Sequence, residues 1–139
     1  SLIKGGGKVL QVVSGTDNTT RSASSSNFSH GYSTAIATLT PSATSSKVLV
    51  IASTTTERGG SGVATFSVFR DNSTNLATNY FYRNGHTGGG EHFCGVFLDS
   101  PNTTSEINYR IKFTNSTGST TYIGHDNGLT SVVAMEIGA

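Results

Sequence analysis

The sequence predicts an all-β protein: an antiparallel two-sheet β-sandwich, jelly-roll-like, of about eight strands. Three observations predict it. The 139 residues include 20 Ser and 21 Thr, which with 17 Gly make 58; Thr favours strands, and Ser and Gly suit the turns between them. Good helix formers are scarce, with one Met and few Leu, Glu or Lys. Short runs of Val, Ile, Phe and Tyr recur at even spacing, a pattern that a disordered chain of the same polarity lacks.

The runs follow in order. KVLQVVS (8–14), STAIATL (33–39), KVLVIAS (47–53) and VATFSVFR (63–70) lie in the first half. EHFCGVFL (91–98), INYRIKF (107–113), TTYIG (120–124) and SVVAMEI (131–137) lie in the second. Ile107, Tyr109, Ile111 and Phe113 alternate with Asn108, Arg110 and Lys112, as in a strand buried on one side. Val133, Met135 and Ile137 repeat that pattern. KVLVIA (47–52) is continuously apolar, as expected of a central strand whose two faces are covered by sheet or by a neighbouring subunit. Turn signals separate the runs, among them Thr40-Pro41-Ser42, Asp71-Asn72-Ser73, Asn84-Gly85, Gly88-Gly89-Gly90 and Asp126-Asn127-Gly128. An apolar seam is expected at Val9, Val48, Val50, Phe66, Val68, Phe97, Ile107, Tyr109, Ile111, Val133 and Met135.

This length makes one domain, residues 8–139, preceded by a short arm, SLIKGGG (1–7). Three glycines leave the arm without a conformation of its own unless it docks, and Leu2, Ile3 and Lys4 are its anchors in the reading of an assembly arm. Nine basic against eight acidic side chains give +1, with no Lys/Arg cluster, which argues against nucleic acid and against a polybasic membrane surface. No apolar run approaches the roughly 20 residues of a membrane helix, and no basic-then-apolar leader opens the sequence. Ser1 is what removal of an initiator Met leaves, which fits a free-standing small gene product, with a cloned fragment as the alternative. The lone Cys94 excludes an intramolecular disulfide framework and a multi-cysteine zinc site, and its mid-strand place reads as a buried small hydrophobe.

Four segments carry a resemblance: Gly7 to Val13 (GKVLQVV), Thr40 to Val50 (TPSATSSKVLV), Leu98 to Thr104 (LDSPNTT) with Ile107 to Arg110 (INYR), and Val133 to Ile137 (VAMEI). Together they resemble a β-sandwich module of tailed-bacteriophage virion structural proteins, of the marine and cyanophage type, found in tail fibres and appendages. The similarity spans Gly7 to the end, in strand-and-turn motifs without a reactive group. The resemblance implies a homotrimeric knob, assembled in the host cytoplasm with other virion proteins and exposed on the particle exterior. A free-standing chain departs from the long fibres of that family and points also to capsid decoration.

Catalytic chemistry has thin support in the residues. A hydrolase needs a nucleophile and base, or paired carboxylates, in one pocket. Here Asp17, Glu57, Asp71, Glu91, Asp99, Glu106, Asp126 and Glu136 fall mostly at turns and strand ends, where solvation and Asx-turn capping are their ordinary roles. His86 and His92, with Glu91, flank the triple glycine without a placeable third metal ligand, so they read as surface loop histidines. Neither Gly59-Gly-Ser-Gly62 nor Gly88-Gly-Gly90 has phosphate-loop spacing or a following helix. No enzyme activity, metal or cofactor is expected.

The segment Asn79-Tyr-Phe-Tyr-Arg-Asn-Gly-His86 combines aromatic faces with hydrogen-bonding groups. Tyr80, Tyr82, Arg83 and His86 are the candidate contacts for a host-surface glycan, against the plainer reading that the tyrosines pack in the core or between subunits. The sequence thus points to a non-enzymatic virion structural protein, with a lectin-like receptor-binding module as its alternative.

Overall fold

Each of the eight apolar runs contains a strand in the computed structural model, which describes residues 7–85 and 90–139. In chain order the strands are β1 (Val9–Asp17), β2 (Arg21–Ser24), β3 (Ala37–Leu39), β4 (Lys47–Gly59), β5 (Ala64–Arg70), β6 (Thr74–Asn75), β7 (Tyr82–Asn84), β8 (Glu91–Asp99), β9 (Ile107–Asn115), β10 (Thr120–Ile123) and β11 (Thr130–Ile137). Residues His125–Asn127 form a single 3-10 turn between the last two. The short strands β2, β6 and β7 lie outside the predicted runs.

The apolar strand β4 is central, as its composition requires. One of its edges pairs with β8, from Val48 opposite Asp99 to Thr56 opposite Glu91. Its other edge pairs first with β11 and then with β10, and outside these lie β1 on β11 and β2 on β10. The pairs β1–β2 and β10–β11 therefore act as two long strands, each interrupted at the same level. In the second sheet β9 lies between β3 and β5, and the far edge of β5 carries β6 and β7. If each interrupted strand is taken as one position and positions are numbered along the chain, the sheet orders are 1-8-3-6 and 2-7-4-5. That is the order of a jelly roll: every strand pairing is antiparallel and successive positions cross between sheets, except 4 and 5, which pair within the second.

The interruption has a side-chain cause. Gly124, Asp126 and Asn127 adopt left-handed backbone angles. The displaced chain is held by threonines: the Thr54 hydroxyl lies 2.7 Å from that of Thr130 and accepts from the Gly124 N–H at 3.0 Å, and Thr20 donates to the Gly124 carbonyl at 2.9 Å. Buried hydroxyls thus replace the missing ladder bonds.

Between the sheets the seam is largely the expected one: Val48, Val50, Phe66, Val68, Ile107, Tyr109 and Ile111 are buried. Phe97 packs against this cluster partly buried. Three expected members are not in it. Val9 is exposed beside a register shift in β1, and Val133 and Met135 point outward while Val132 and Ala134 fill the core. The phase of β11 is set by Glu136, whose carboxylate is wholly buried and brings every second residue inward with it. Cys94 is likewise exposed, because Phe93 and Gly95 take the inward positions of β8.

Candidate assembly surface and ligand positions

The carboxylates that reach the interior hold structural bonds. Glu136 accepts the Gln11 side-chain amide at 2.6 Å on one oxygen, and the Ser42 N–H, the Ser42 hydroxyl and the Ser46 hydroxyl, each at 2.7 Å, on the other. These bonds tie the loop between β3 and β4 to β1 and β11. Burial pushes the Glu136 carboxyl up, but the bonds from Gln11, Ser42 and Ser46 outweigh it and hold the group down at about 2. Asp99, at the end of β8, accepts the Arg70 Nη1 on both carboxylate oxygens, at 2.9 and 2.7 Å, and the Tyr109 hydroxyl at 2.7 Å, so it joins the two sheets. Glu91, at the other end of β8, accepts the Tyr82 hydroxyl. Burial, then this bond, pushes the Tyr82 phenol up to about 12.

The segment singled out for ligand contact divides. Tyr82 is half-buried, with ring centroids 5.7 Å from both Phe66 and Phe93. Phe81 lies edge-on against Phe93 and Phe97 and caps the open side of the sandwich. Gly95 leaves the space for it, since a Cβ there would lie 2.8 Å from Phe97 and 3.0 Å from Phe81. Tyr80 and Arg83 are exposed, with the guanidinium 5.0 Å from the ring centroid. His86 lies outside the described residues, as do Leu2, Ile3 and Lys4 of the arm. Glu91 turns inward and His92 outward on β8, so the two do not converge on one ligand position. Among the described residues no three His, Cys, Asp or Glu side chains converge as metal ligands.

The outer faces of the two sheets differ in kind. On the second sheet the outward positions of β9 are Asn108, Arg110, Lys112 and Thr114. The outward Phe69 of β5 is covered by Phe28, with centroids 5.2 Å apart, and by the Lys112 ammonium at 4.9 Å. On the first sheet, strand register aligns Val12, Met135, Leu49 and Leu98 in one outward row across four strands. The next row is Ser14, Val133, Ile51 and Val96. Val12, Val96 and Leu98 are 56%, 57% and 66% exposed, and nothing among the described residues covers them. Beyond the strand interruption the same face turns polar, with Glu57 paired to His125 and Asp126 3.6 Å from the other ring nitrogen. The unbroken apolar run of β4 was the sequence signal for this face; the outward phase of β11, which completes it, was hidden by the burial of Glu136.

No family model and no curated protein matches the sequence. Among solved structures the chain is similar to the D431N mutant VP2 protein of infectious bursal disease virus in derived T=1 particles, at 16% identity and a TM-score of 0.43 over 93% of this chain and 36% of that one. It is similar also to the structure of the Gx strain of that virus, at 17% identity and a TM-score of 0.44 over 93% of this chain and 37% of that one. A third similarity, to the VP2 subviral particle, has 15% identity and a TM-score of 0.36 over 95% of this chain. The chain thus spans little more than a third of the length of the solved chains it matches.

Proposed function

We propose that the chain is a non-enzymatic structural protein of a tailed-bacteriophage virion, a homotrimeric fibre or appendage knob or a capsid decoration protein. In this reading it assembles in the host cytoplasm and is displayed on the particle exterior. The observation that carries it is the employment of the interior carboxylates: Glu136, Asp99 and Glu91 each hold a loop or the opposite sheet in place through the bonds described. A carboxylate already engaged by such donors is a poorer proton acceptor for catalysis and a good fastener. The strand-and-turn resemblance of the sequence supports the phage origin, and the arm, through Leu2, Ile3 and Lys4, supplies the tether to neighbouring virion proteins.

Antibody-labelled electron microscopy of purified particles tests the reading. Label at a regular position on the particle is the expected result, and particles without the protein contradict it. Deleting residues 1–7 is expected to leave the fold intact and stop incorporation; unchanged incorporation removes the arm from the account.

A second reading is favoured by the Arg83 guanidinium held over the exposed Tyr80 ring, the kind of aromatic and cationic surface on which a host-surface glycan stacks. In it Tyr80, Arg83 and His86 contact the sugar, with Tyr82 as their support. Tyr80→Ala is then expected to abolish binding on a glycan array without altering assembly, and unchanged binding sets this reading aside.

A further inference from the structure

From the two outward apolar rows of the first sheet we infer that a second copy of this chain covers the β1–β11–β4–β8 face. The inference rests on the self-assembling reading above and gives it a surface. Seven residues of β11 at about 3.3 Å each, across four strands about 4.8 Å apart, make a face of roughly 20 by 20 Å, about 400 Å² in projection. Single chains seldom leave a contiguous apolar patch of more than about 300–600 Å² exposed, and patches of that size are commonly interfaces. Two such faces in contact bury about 800 Å² in projection, and more over the relief of the side chains, which lies between fortuitous contacts and standard complexes of about 1,600 Å².

Charge selects the occupant. The rows themselves hold no ionisable side chain; Lys47 stands at one corner, bonded to Ser100 at 2.7 Å, and the nearest groups at the other end are His92 and the Glu57–His125 pair. A face without charge gives an oppositely charged partner nothing to read, and without Lys or Arg along its rows it has no attraction for anionic lipid. It is complementary to another flat apolar sheet, packed about 10 Å away with its strands within about 30°. Every copy carries such a sheet in the same place, so a twofold axis brings like to like. The covered second sheet, with Phe28 over Phe69, offers no comparable surface.

The test compares the wild type with the double variant Val96→Asp, Leu98→Asp by light scattering after size exclusion. Both positions are more than half exposed, so the single chain tolerates the change, and circular dichroism with a melting curve verifies its fold. The expected result is a multi-chain wild type and a variant of 14.4 kDa. A folded variant that keeps the wild-type mass overturns the inference while leaving self-assembly standing. A wild type of 14.4 kDa at every concentration overturns both. Cys94, exposed on the same face beside Val96, supplies a second readout: maleimide labelling is expected to slow in concentrated wild type and to recover on dilution. Equal rates contradict the covered face. Co-sedimentation of single chains with neutral phosphatidylcholine vesicles assigns the face to lipid and likewise overturns the inference.

Discussion

The Tyr109 hydroxyl donates to Asp99 at 2.7 Å across the two sheets, and Arg70 grips the same carboxylate through both of its oxygens. One side chain on β8 is thereby fastened to β5 and β9 together. Asp99→Ala removes the acceptor and leaves a guanidinium and a phenol unpaired in a poorly solvated place. The expected cost is about 3 kcal/mol, read as a lowered urea midpoint with unchanged slope. A loss under about 0.5 kcal/mol, the ordinary range for a surface substitution, contradicts the role of a fastener between sheets.

Groups shifted in opposite directions give the stability curve two limbs, Glu136 contributing to the acid one and Tyr82 to the alkaline one. Glu136 titrates at about 2 when folded against 4.5 when free, so its contribution is complete above about pH 4.5 and is lost as pH falls toward 2. Tyr82 is held up to about 12 against 10.0, so the folded state keeps a proton that the unfolded state releases. Stability is therefore expected to fall again as pH rises through 10 toward 12. Urea midpoints across the range check both limbs. Glu136→Gln is expected to shrink the acid limb, part of which stays with Asp17, also held down by its bonds to Arg21 and Thr34, and to leave the alkaline limb in place.

Two glycines separate backbone contact from open space. At Gly15 in β1 a Cβ would overlap the backbone of Ile36, which passes directly beneath, whereas at Gly85 nothing among the described residues lies within 4 Å. Gly15→Ala is expected to destabilise by about 3 kcal/mol, since backbone has no rotamer to yield, and Gly85→Ala by less than about 0.5 kcal/mol. Thermal unfolding of the two variants measures the contrast, and equal melting points contradict the close approach of β1 to residue 36.

Periodicity made the long strands legible and misread the phase of one. Ile107, Tyr109, Ile111 and Phe113 are all buried as their alternation predicts, but Lys112, expected on the open face of β9, is buried as well, bonded to the Asn72 carbonyl at 3.0 Å. In β11 the larger residues Val133 and Met135 suggested the inward set, yet Ala134 and the buried Glu136 occupy it. Side-chain size ranks apolar candidates; it gives no sign that four hydrogen-bond donors wait inside for a carboxylate. The strands β6 and β7, two and three residues long, are too short to show a period at all. At the ligand segment the aromatic composition was plain. The division of labour was not, because Phe81, itself exposed, leans on Phe93 and Phe97 beside Gly95 while Tyr82 turns inward to Glu91, and these partners all lie on β8, a strand whose position in the sheet no local pattern reveals.

Leu49 and Leu98 stand opposite each other in the β4–β8 ladder with both side chains on the outside of the sheet, the latter 66% exposed. That exposure is the strongest single reason to regard the lone chain as incomplete. Solution mass by light scattering after size exclusion tests this most directly. The account predicts a multi-chain species of at least twice the 14.4 kDa of the single chain. A clean 14.4 kDa species that persists at high concentration contradicts it.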